Sequence, residues 1–356
     1  LRDSVLAFYL GNSRETDVWR AALRIPNVIQ NLLGEGTLSA SFIPIYAELL
    51  QEGREEEAGR FAGAVLGILL VVAFGAALLG ILLAPLIIGA LFHEWDPSKQ
   101  ALTVRLVRIL FPMTAVLVIS AWALGILNSH RRFFVSYVAP VAWNASIITV
   151  MVFFGSFLGY DAAGMDPELI TMMAWGALVG GLLQVAVQLP WVLKVLRQVR
   201  LSLGRRVLGV REAIRNFLPV VAARGVVNIS GLLDAVLAGL LAEAALSILA
   251  NAQTLYLLPI SLFGMAIAAS ELPELSRNRK AAAEVLVPRV RMALRRMAFL
   301  LVPSALAYIA LGDVLTAALF QRGEFGPADT AAVHLVLAAY ALGLPASASS
   351  RVLSST

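Results

Sequence analysis

The sequence predicts an all-α protein, a polytopic bundle of transmembrane helices. Of its 356 residues, 59% are hydrophobic and 14% are charged, whereas soluble domains have about 45–50% apolar and about 25% charged residues. The apolar residues form continuous runs, and a membrane-spanning helix needs about 20 such residues. A transmembrane β-barrel would instead alternate lipid-facing and lumen-facing residues, so the continuous runs favour helices.

Ten helices are predicted in chain order. The clearest is 61–93, which contains no Asp, Glu, Lys or Arg. Similar apolar runs are 109–129, 133–160, 169–193, 243–270, 297–320 and 331–350. Two further segments, 17–50 and 213–241, are apolar but carry charges, and a short stub at 1–10 precedes them. Because the chain begins and stops within helical sequence, we expect both of its ends to continue into further helix.

The basic residues predict the orientation of these helices. The net charge is +5, but the basic residues lie in loops between apolar runs, where the membrane surface explains them better than nucleic acid does. With loop 51–60 in the cytoplasm, the inner loops and their flanks hold 18 Lys and Arg residues, and the outer loops hold three. This positive-inside bias predicts a multi-pass protein surrounded by membrane lipids. We expect a monomer that binds no nucleic acid.

A weak internal repeat predicts two lobes. Three short matches lie at offsets of 228, 229 and 233 residues: Ala90–Phe92 with Ala318–Phe320, Ser41–Pro44 with Ser270–Pro273, and Phe111–Pro112 with Leu344–Pro345. Nearly equal offsets in corresponding helices predict a duplicated six-helix lobe. We therefore predict an N-terminal lobe over 1–200 with helices one to six, and a partial C-terminal lobe over 201–356 with helices seven to ten.

The second predicted helix carries a polar stripe. Six polar residues at steps of three and four share about 80° of one face: Asp17, Arg20, Arg24, Asn27, Asn31 and Glu35. The opposite face of the helix is apolar. A lipid-exposed charge at depth costs about 2.5–3.5 kcal/mol, so the stripe faces protein or a water-filled cavity. Pro26, Gly34 and Gly36 supply possible bends. Two interpretations stay open: a polar, cationic cavity wall, or charges that pair and lock helices together.

The seventh predicted helix repeats this pattern. Arg224, Asn228 and Gly231 lie at i, i+4 and i+7, and Asp234 follows. Charged residues inside an apolar span are functional candidates. Arg224 could meet an anionic head group, and Asp234 could bind a cation or a proton. The two lie about 15 Å apart along the axis and do not pair directly, and a buried network between helices is the alternative interpretation.

Signatures of catalysis are missing from the sequence. It contains no Gly-rich phosphate loop, no GxSxG, no HExxH and no cysteine, and its three histidines are solitary. Such patterns are what nucleotide-binding, hydrolytic and zinc sites require. The sequence therefore predicts no cofactor, no metal site and no catalytic residues.

Four segments resemble the MurJ (MviN) family of lipid II flippases, of the multidrug/oligosaccharidyl-lipid/polysaccharide exporter superfamily. They are 16–49, 125–148, 258–277 and 319–325, in chain order. The resemblance implies two six-helix lobes around a central cavity, with the start of the first helix and the C-terminal helices absent from this chain. It also implies that lipid II, an undecaprenyl-diphosphate-linked disaccharide-pentapeptide, is moved across the bacterial inner membrane by alternating access. The implied energy source is the membrane potential or a Na⁺ or H⁺ gradient, not ATP.

The resemblance assigns site residues one by one. Arg2 and Asp3 match an Arg-Asp pair at the end of the family's first helix, where the Arg is functional. Asp17 matches the Asp that opens the second helix, Glu35 matches the Glu of a Glu-Gly turn, and Arg24 stands where the family has a basic residue before Pro-Asn.

The chain also departs from the family pattern. Gln30 and Thr254 stand where better-known members have arginines, and we expect Arg20 and Arg224 to compensate. Asp234 resembles an acidic residue that ligates sodium in some members.

Two other functions stay open. The altered arginine set leaves room for a flippase of another polyprenyl-linked glycan, or for a drug or cation antiporter of the same superfamily. The other is a non-transporting membrane scaffold, which should tolerate neutralisation of the polar stripe.

Overall fold

The computed structural model describes residues 1–157, 166–196, 202, 204, 207–264 and 283–354. Every regular element in these ranges is helical, which confirms the predicted fold class. The helices are α1 Arg2–Leu10, α2 Arg14–Leu33, α3 Glu35–Ser41, α4 Ile43–Gln51, α5 Glu55–Leu91, α6 Pro97–Ser129, α7 Phe133–Val152, α8 Asp166–Val195, α9 Val210–Gly239, α10 Ala245–Pro259, α11 Ala283–Phe320 and α12 Pro327–Ser354. Short π-helical turns continue α7 over Phe153–Phe157 and α10 over Ile260–Gly264.

Eight helices in the described ranges are long and apolar enough to cross a membrane. Some of them are longer than the predicted apolar runs: α5 begins at Glu55 and α6 at Pro97, ahead of the runs that start at 61 and 109. On α5 the large apolar side chains of Val71, Leu78, Leu82 and Leu86 are 58–69% exposed. Their spacing of seven, four and four residues places them on one face of the helix. A stripe of this kind is favourable against lipid and costly against water.

The prediction of one continuous second helix over 17–50 is wrong, because this segment forms three helices, α2, α3 and α4. The first break is at Gly34, whose backbone is extended (φ −88°, ψ −157°). The second is at Phe42, just before Pro44 in the first turn of α4, where proline is well tolerated. Pro26 stays inside α2. Of the predicted bends, the one at Gly34 is confirmed, and it moves Glu35 onto a separate helix.

The chain divides into two compact units. One consists of Leu1, Asp3–Ser13 and Ala244–Thr356, and the other of Arg2 and Arg14–Glu243. This division by packing differs from the predicted boundary at residue 200, because α9 groups with the preceding helices and most of α1 with the following ones. The predicted lobes rest on sequence duplication, a different property, and they stay a prediction.

In the unit Arg14–Glu243, α6 is the central helix. It packs against α2, α5 and α8, and most of its membrane-length window is buried. Fully buried aromatic side chains fill the spaces around it, among them Trp19, Phe61 and Phe111. Where an indole is buried its N–H needs an acceptor, and Trp122 Nε1 donates to the carbonyl of Ala62 at 3.1 Å.

The other unit has its own core. It is built from α1, α10, α11 and α12 around Leu255, Leu301, Phe320 and Leu337. Tyr308 inserts from α11, and its hydroxyl donates to the carbonyl of Leu255 at 2.6 Å. Asn12 Oδ1, just beyond α1, accepts hydrogen bonds from Ser247 and Asn251 of α10.

Contacts near the helix ends agree with the predicted orientation. In the larger unit, Arg14 Nη2 lies 2.7 Å from Asp96 Oδ1, and Trp95 Nε1 donates to the carbonyl of Gly239 at 2.8 Å. All of these residues lie in segments that the charge bias places outside. Tyr46 and His130, both placed near the inner surface, are hydrogen-bonded at 3.1 Å.

Candidate functional site

A polar cavity of about 610 Å³ lies within the unit Arg14–Glu243. Its walls come from α2 and α3 on one side and from α6, α7, α8 and α9 on the others. Ligand sites in proteins commonly measure about 300–1,000 Å³. Amide, hydroxyl and charged groups make up about half of the lining. The lining residues are Gln30, Asn31, Gly34, Glu35, Gly36, Ser39, Leu117, Ser120, Ala121, Leu124, Pro140, Trp143, Asn144, Gln184 and Arg224.

The charges on this lining are balanced. Arg224 supplies one positive charge and Glu35 one negative charge. Gln30, which stands where the resemblance implies an arginine, also lines the cavity. The described cavity is therefore polar and rich in amides, with a single arginine, and the expectation of a strongly cationic wall stays a prediction.

The predicted residues of α2 and α9 meet along one seam. Asn31 Nδ2 donates to Asn228 Oδ1 at 2.8 Å, and Asn228 Nδ2 donates to the carbonyl of Arg224 at 2.8 Å. Arg24 of α2 lies against Gly231 of α9. The polar residues predicted on the second and the seventh helix therefore contact each other in the structure.

Asp17 lies elsewhere, in a buried ion pair. Lys99 Nζ is 3.2 Å from Asp17 Oδ2, and the two side chains are 5% and 1% exposed. The ammonium group also lies 4.0 Å from the ring centroid of Trp95, a cation–π contact. Asp17 is not part of the cavity lining. Its position favours a structural role, in which buried charges lock α2 to α6.

The remaining predicted residues are not part of the cavity lining. Arg20 and Asn27 are half-buried on α2. The guanidinium of Arg2 lies 5.4 Å from the ring centroid of Trp143, which lines the cavity. Asp3 is half-buried on α1 and groups with the other unit. Asp234 is exposed on α9.

Sequence reasoning missed a neutral polar network beside the cavity. Gln184 Nε2 donates to Ser120 Oγ at 2.8 Å, and Ser120 Oγ donates to Gln188 Oε1 at 2.8 Å. All three side chains are buried. The two glutamines lie at i and i+4 in a span with no charged residue, and a search for neutral polar residues at helical spacing would have found them.

Trp143 is held in place at the cavity edge. Its indole Nε1 donates to the carbonyl of Ala177 on α8 at 3.1 Å. A neighbouring serine on α7, Ser146, donates to the carbonyl of Gly176 at 2.8 Å. Two side-chain bonds thus fix the face of α7 that borders the cavity.

Two groups at opposite ends of α6, Asp96 and His130, have pKa values that differ from their ordinary values. The hydroxyl of Ser98 and the backbone N–H of Lys99 donate to Asp96 and, with nearby Arg14, lower the pKa of that carboxyl to about 2. These bonds cap the first turn of α6. At the other end of α6, burial lowers the pKa of His130 below its usual 6.5.

The described residues hold no cluster of three or more His, Cys, Asp or Glu side chains arranged to bind a metal ion. The polar groups of the cavity are amides, hydroxyls, one guanidinium and one carboxylate. Such a set suits hydrogen bonding to a polar, anionic or sugar-like ligand.

Comparison with known sequences identifies the family. The family model described as "Lipid II flippase MurJ" matches residues 6–356. A Rhizobium meliloti protein named "Probable lipid II flippase MurJ" is 32% identical over 356 residues, which cover 97% of this chain and 64% of the relative. A Burkholderia cenocepacia protein named "Lipid II flippase MurJ" is 30% identical, with 96% of this chain and 66% of the relative covered. The chain thus spans under two thirds of the length of these relatives.

Solved structures share the fold. A structure titled "Lipid II flippase MurJ, inward closed conformation" matches with a TM-score of 0.80 at 23% identity, over 99% of this chain and 71% of that chain. An inward-facing multidrug resistance MATE family transporter of the MOP superfamily matches with a TM-score of 0.73 at 16% identity, over 99% and 80%. At these identities the structures support the fold alone. The family match across residues 6–356 goes further: this chain belongs to the family whose model is described as "Lipid II flippase MurJ", which confirms the predicted family.

Proposed function

We propose that this protein flips lipid II from the inner to the outer leaflet of the bacterial inner membrane, and that the cavity of the unit Arg14–Glu243 binds its polar head. The observation that carries the proposal is the position of Arg224. This arginine stands on a helix long and apolar enough to cross the membrane, and it borders a polar cavity of about 610 Å³. The names of the relatives point to the same substrate.

The chemistry of the cavity suits the diphosphate of a lipid-linked sugar. A diphosphate cannot enter hydrocarbon without replacement of its hydration shell. The planar guanidinium of Arg224 donates in a fork that matches phosphate oxygens, and each such charge-assisted hydrogen bond contributes about 1.5–3 kcal/mol. The amides of Asn31, Asn144 and Gln184 can bond to the sugar and peptide groups, which carry both donors and acceptors.

Alternating access is the transport mechanism that we propose. In transporters built from repeats, a central site is exposed first to one side of the membrane and then to the other as the lobes rock. A cation gradient of Na⁺ or H⁺ would supply the energy, with Asp234 as the coupling residue on α9. We propose that the protein acts as a monomer.

Growth complementation tests the proposed function. The complete gene product would be expressed in cells depleted of their lipid II flippase, beside Arg224→Ala, Arg24→Ala and Asp234→Asn variants with matched membrane levels. We expect the unchanged protein to restore growth and Arg224→Ala to fail. If a well-inserted, unchanged protein does not restore growth, lipid II is not its substrate.

A flippase of another polyprenyl-linked glycan, or a drug or cation antiporter, is the second candidate function. It is favoured by the balanced lining, in which Gln30 stands where the resemblance implies an arginine and Glu35 offsets Arg224. Proteoliposomes with a proton or sodium gradient would separate these activities. Gradient-driven uptake of an organic cation, without binding of a polyprenyl diphosphate, would identify the antiporter.

A further inference from the structure

In the unit Arg14–Glu243, two arginines each lie against a glycine of the facing helix. One arginine extends from α9 towards α3, and the other extends from α2 towards α9. The guanidinium of Arg224, on α9, occupies the space that a side chain at Gly36 of α3 would fill. The guanidinium of Arg24, on α2, occupies the corresponding space at Gly231 of α9. At both glycines a β-carbon would overlap the guanidinium, so even alanine does not fit while the arginine keeps its position.

These contacts belong to one antiparallel seam. Arg24 meets Gly231, Asn31 is hydrogen-bonded to Asn228 at 2.8 Å, and Gly36 meets Arg224. The residue numbers rise along α2 and α3 while they fall along α9, as in any antiparallel helix pair. The seam thus has an arginine at each end, one from each helix, and an amide pair between them.

Because glycine has no side chain, the two arginines can lie close to the backbone of the facing helix, and this limits their motion. A free arginine side chain samples many rotamers, and that freedom is lost when it binds an anion. A guanidinium that already lies against a bare stretch of backbone has lost part of this freedom before the ligand arrives. A group held in its binding position gives higher affinity than the same group on a mobile side chain.

We propose that Gly36 and Gly231 are positioning residues, because their lack of a side chain leaves the space in which the guanidinium groups of Arg224 and Arg24 lie, at the seam between α2–α3 and α9. We call each of these two spaces a seat. Neither glycine needs to touch a ligand to do this. The seats follow from packing alone. The consequence that Gly36 tunes the affinity for a diphosphate through Arg224 rests on the proposed function.

A double-mutant cycle without any ligand tests the seats. The Tm of the complete, purified protein would be measured in detergent for Gly36→Ala, Arg224→Ala and the double variant. The clash at Gly36 is with the mobile end of the Arg224 side chain, so we expect Gly36→Ala to displace the guanidinium and to lower Tm by about 1–2 °C relative to Gly225→Ala. In the Arg224→Ala background the same change should have no effect, because the clash is gone. An equal loss of Tm in both backgrounds would overturn the proposal.

Gly225→Ala is the matched control. This glycine lies on α9 beside Arg224, and its β-carbon would meet only Leu32 Cδ2, at an ordinary contact distance of 3.9 Å. The substitution makes the same exchange of glycine for alanine inside a helix. We expect Tm to stay the same or to rise slightly, with or without Arg224.

The double variant remains informative if Gly36→Ala alone does not fold. If Gly36→Ala alone gives no folded protein, recovery of folded protein in the double variant supports the seat at Gly36. Loss of folding in both variants overturns it, since the glycine would then be needed for the backbone and not for the arginine. Gly231→Ala with Arg24→Ala provides the same test at the other end of the seam.

Binding of purified lipid II separates the seats from the proposed function. We expect the affinity of Gly36→Ala to fall about tenfold towards that of Arg224→Ala, while Gly225→Ala keeps the original affinity. If the ligand-free cycle shows coupling but neither Gly36→Ala nor Arg224→Ala changes the affinity, the seats stand and the proposed substrate is wrong. If the cycle shows no coupling, the seats are refuted whatever the affinity.

Discussion

The buried ion pair between Asp17 and Lys99 leads to a quantitative prediction. The two side chains are 1% and 5% exposed, and their charged atoms are 3.2 Å apart. Removing one partner of such a pair takes a nearby opposite charge away from a buried charged group, at a cost of up to about 3–5 kcal/mol. We therefore expect Asp17→Asn and Lys99→Met each to lower Tm by on the order of 10 °C.

Removing both partners should cost less than the two single losses combined. The double variant removes both charges of the pair, so we expect a coupling energy of about 2–3 kcal/mol in the double-mutant cycle. The assay is thermal unfolding of the purified protein in detergent, followed by tryptophan fluorescence. Arg60 and Glu56 provide a matched control, because this pair lies at 3.5 Å with side chains 54% and 61% exposed. An exposed pair of this kind should show no measurable coupling.

The same variants decide the role of Asp17. If the carboxylate is structural, transport by Asp17→Asn should fall only in proportion to the loss of folded protein. Lys99→Met should then show the same loss. The reasoning is refuted if the effects on Tm are additive, or if Asp17→Asn abolishes transport at unchanged Tm while Lys99→Met does not.

Three further predictions concern single side chains. Asp96→Ala should lower stability by about 1 kcal/mol through loss of the cap of α6, measured as Tm at neutral pH, while Asp96→Asn keeps the cap. Because the folded pKa of Asp96 is depressed to about 2 from 3.8, its contribution is complete above pH 3.8 and is lost as the pH falls towards 2. Ser120→Ala should cost about 1–3 kcal/mol, since it leaves two buried glutamine amides without their shared hydroxyl; an unchanged Tm would contradict this. The folded pKa of His130 is lowered by burial, so the folded state binds fewer protons and its stability should fall as the pH drops below 6.5. His130→Gln should remove that pH dependence, and a persisting slope would assign it to another group.

The helical architecture could be predicted from the sequence because hydrocarbon leaves few alternatives. A run such as 61–93 without charges can satisfy its backbone only as a helix, and α5 is that helix. The periodicity of Arg24 and Asn31 likewise located the polar face of α2, since spacing on a helix fixes direction. Where a helix stops is less certain from pattern alone, and the extended backbone at Gly34 divided a segment predicted as one helix.

The partners of the polar residues could not be predicted, since they depend on which helices face each other. Lys99 lies ahead of the apolar run 109–129, in the first turn of α6, and pairs with Asp17 of α2. Ser120 and Gln188 carry no charge, so they left no signal in a search that followed charges through apolar spans. The contact of Arg224 with Gly36 joins residues far apart in the chain, and no local pattern encodes it.

The measurement that tests the account most directly is the affinity of the complete, purified protein for lipid II, compared between the unchanged protein and Arg224→Gln. The glutamine keeps a polar, shorter side chain and removes the charge and the forked donors. Loss of one charge-assisted hydrogen bond should weaken binding by about 10- to 100-fold, at unchanged Tm. Equal affinity of the two proteins would contradict a diphosphate site at Arg224.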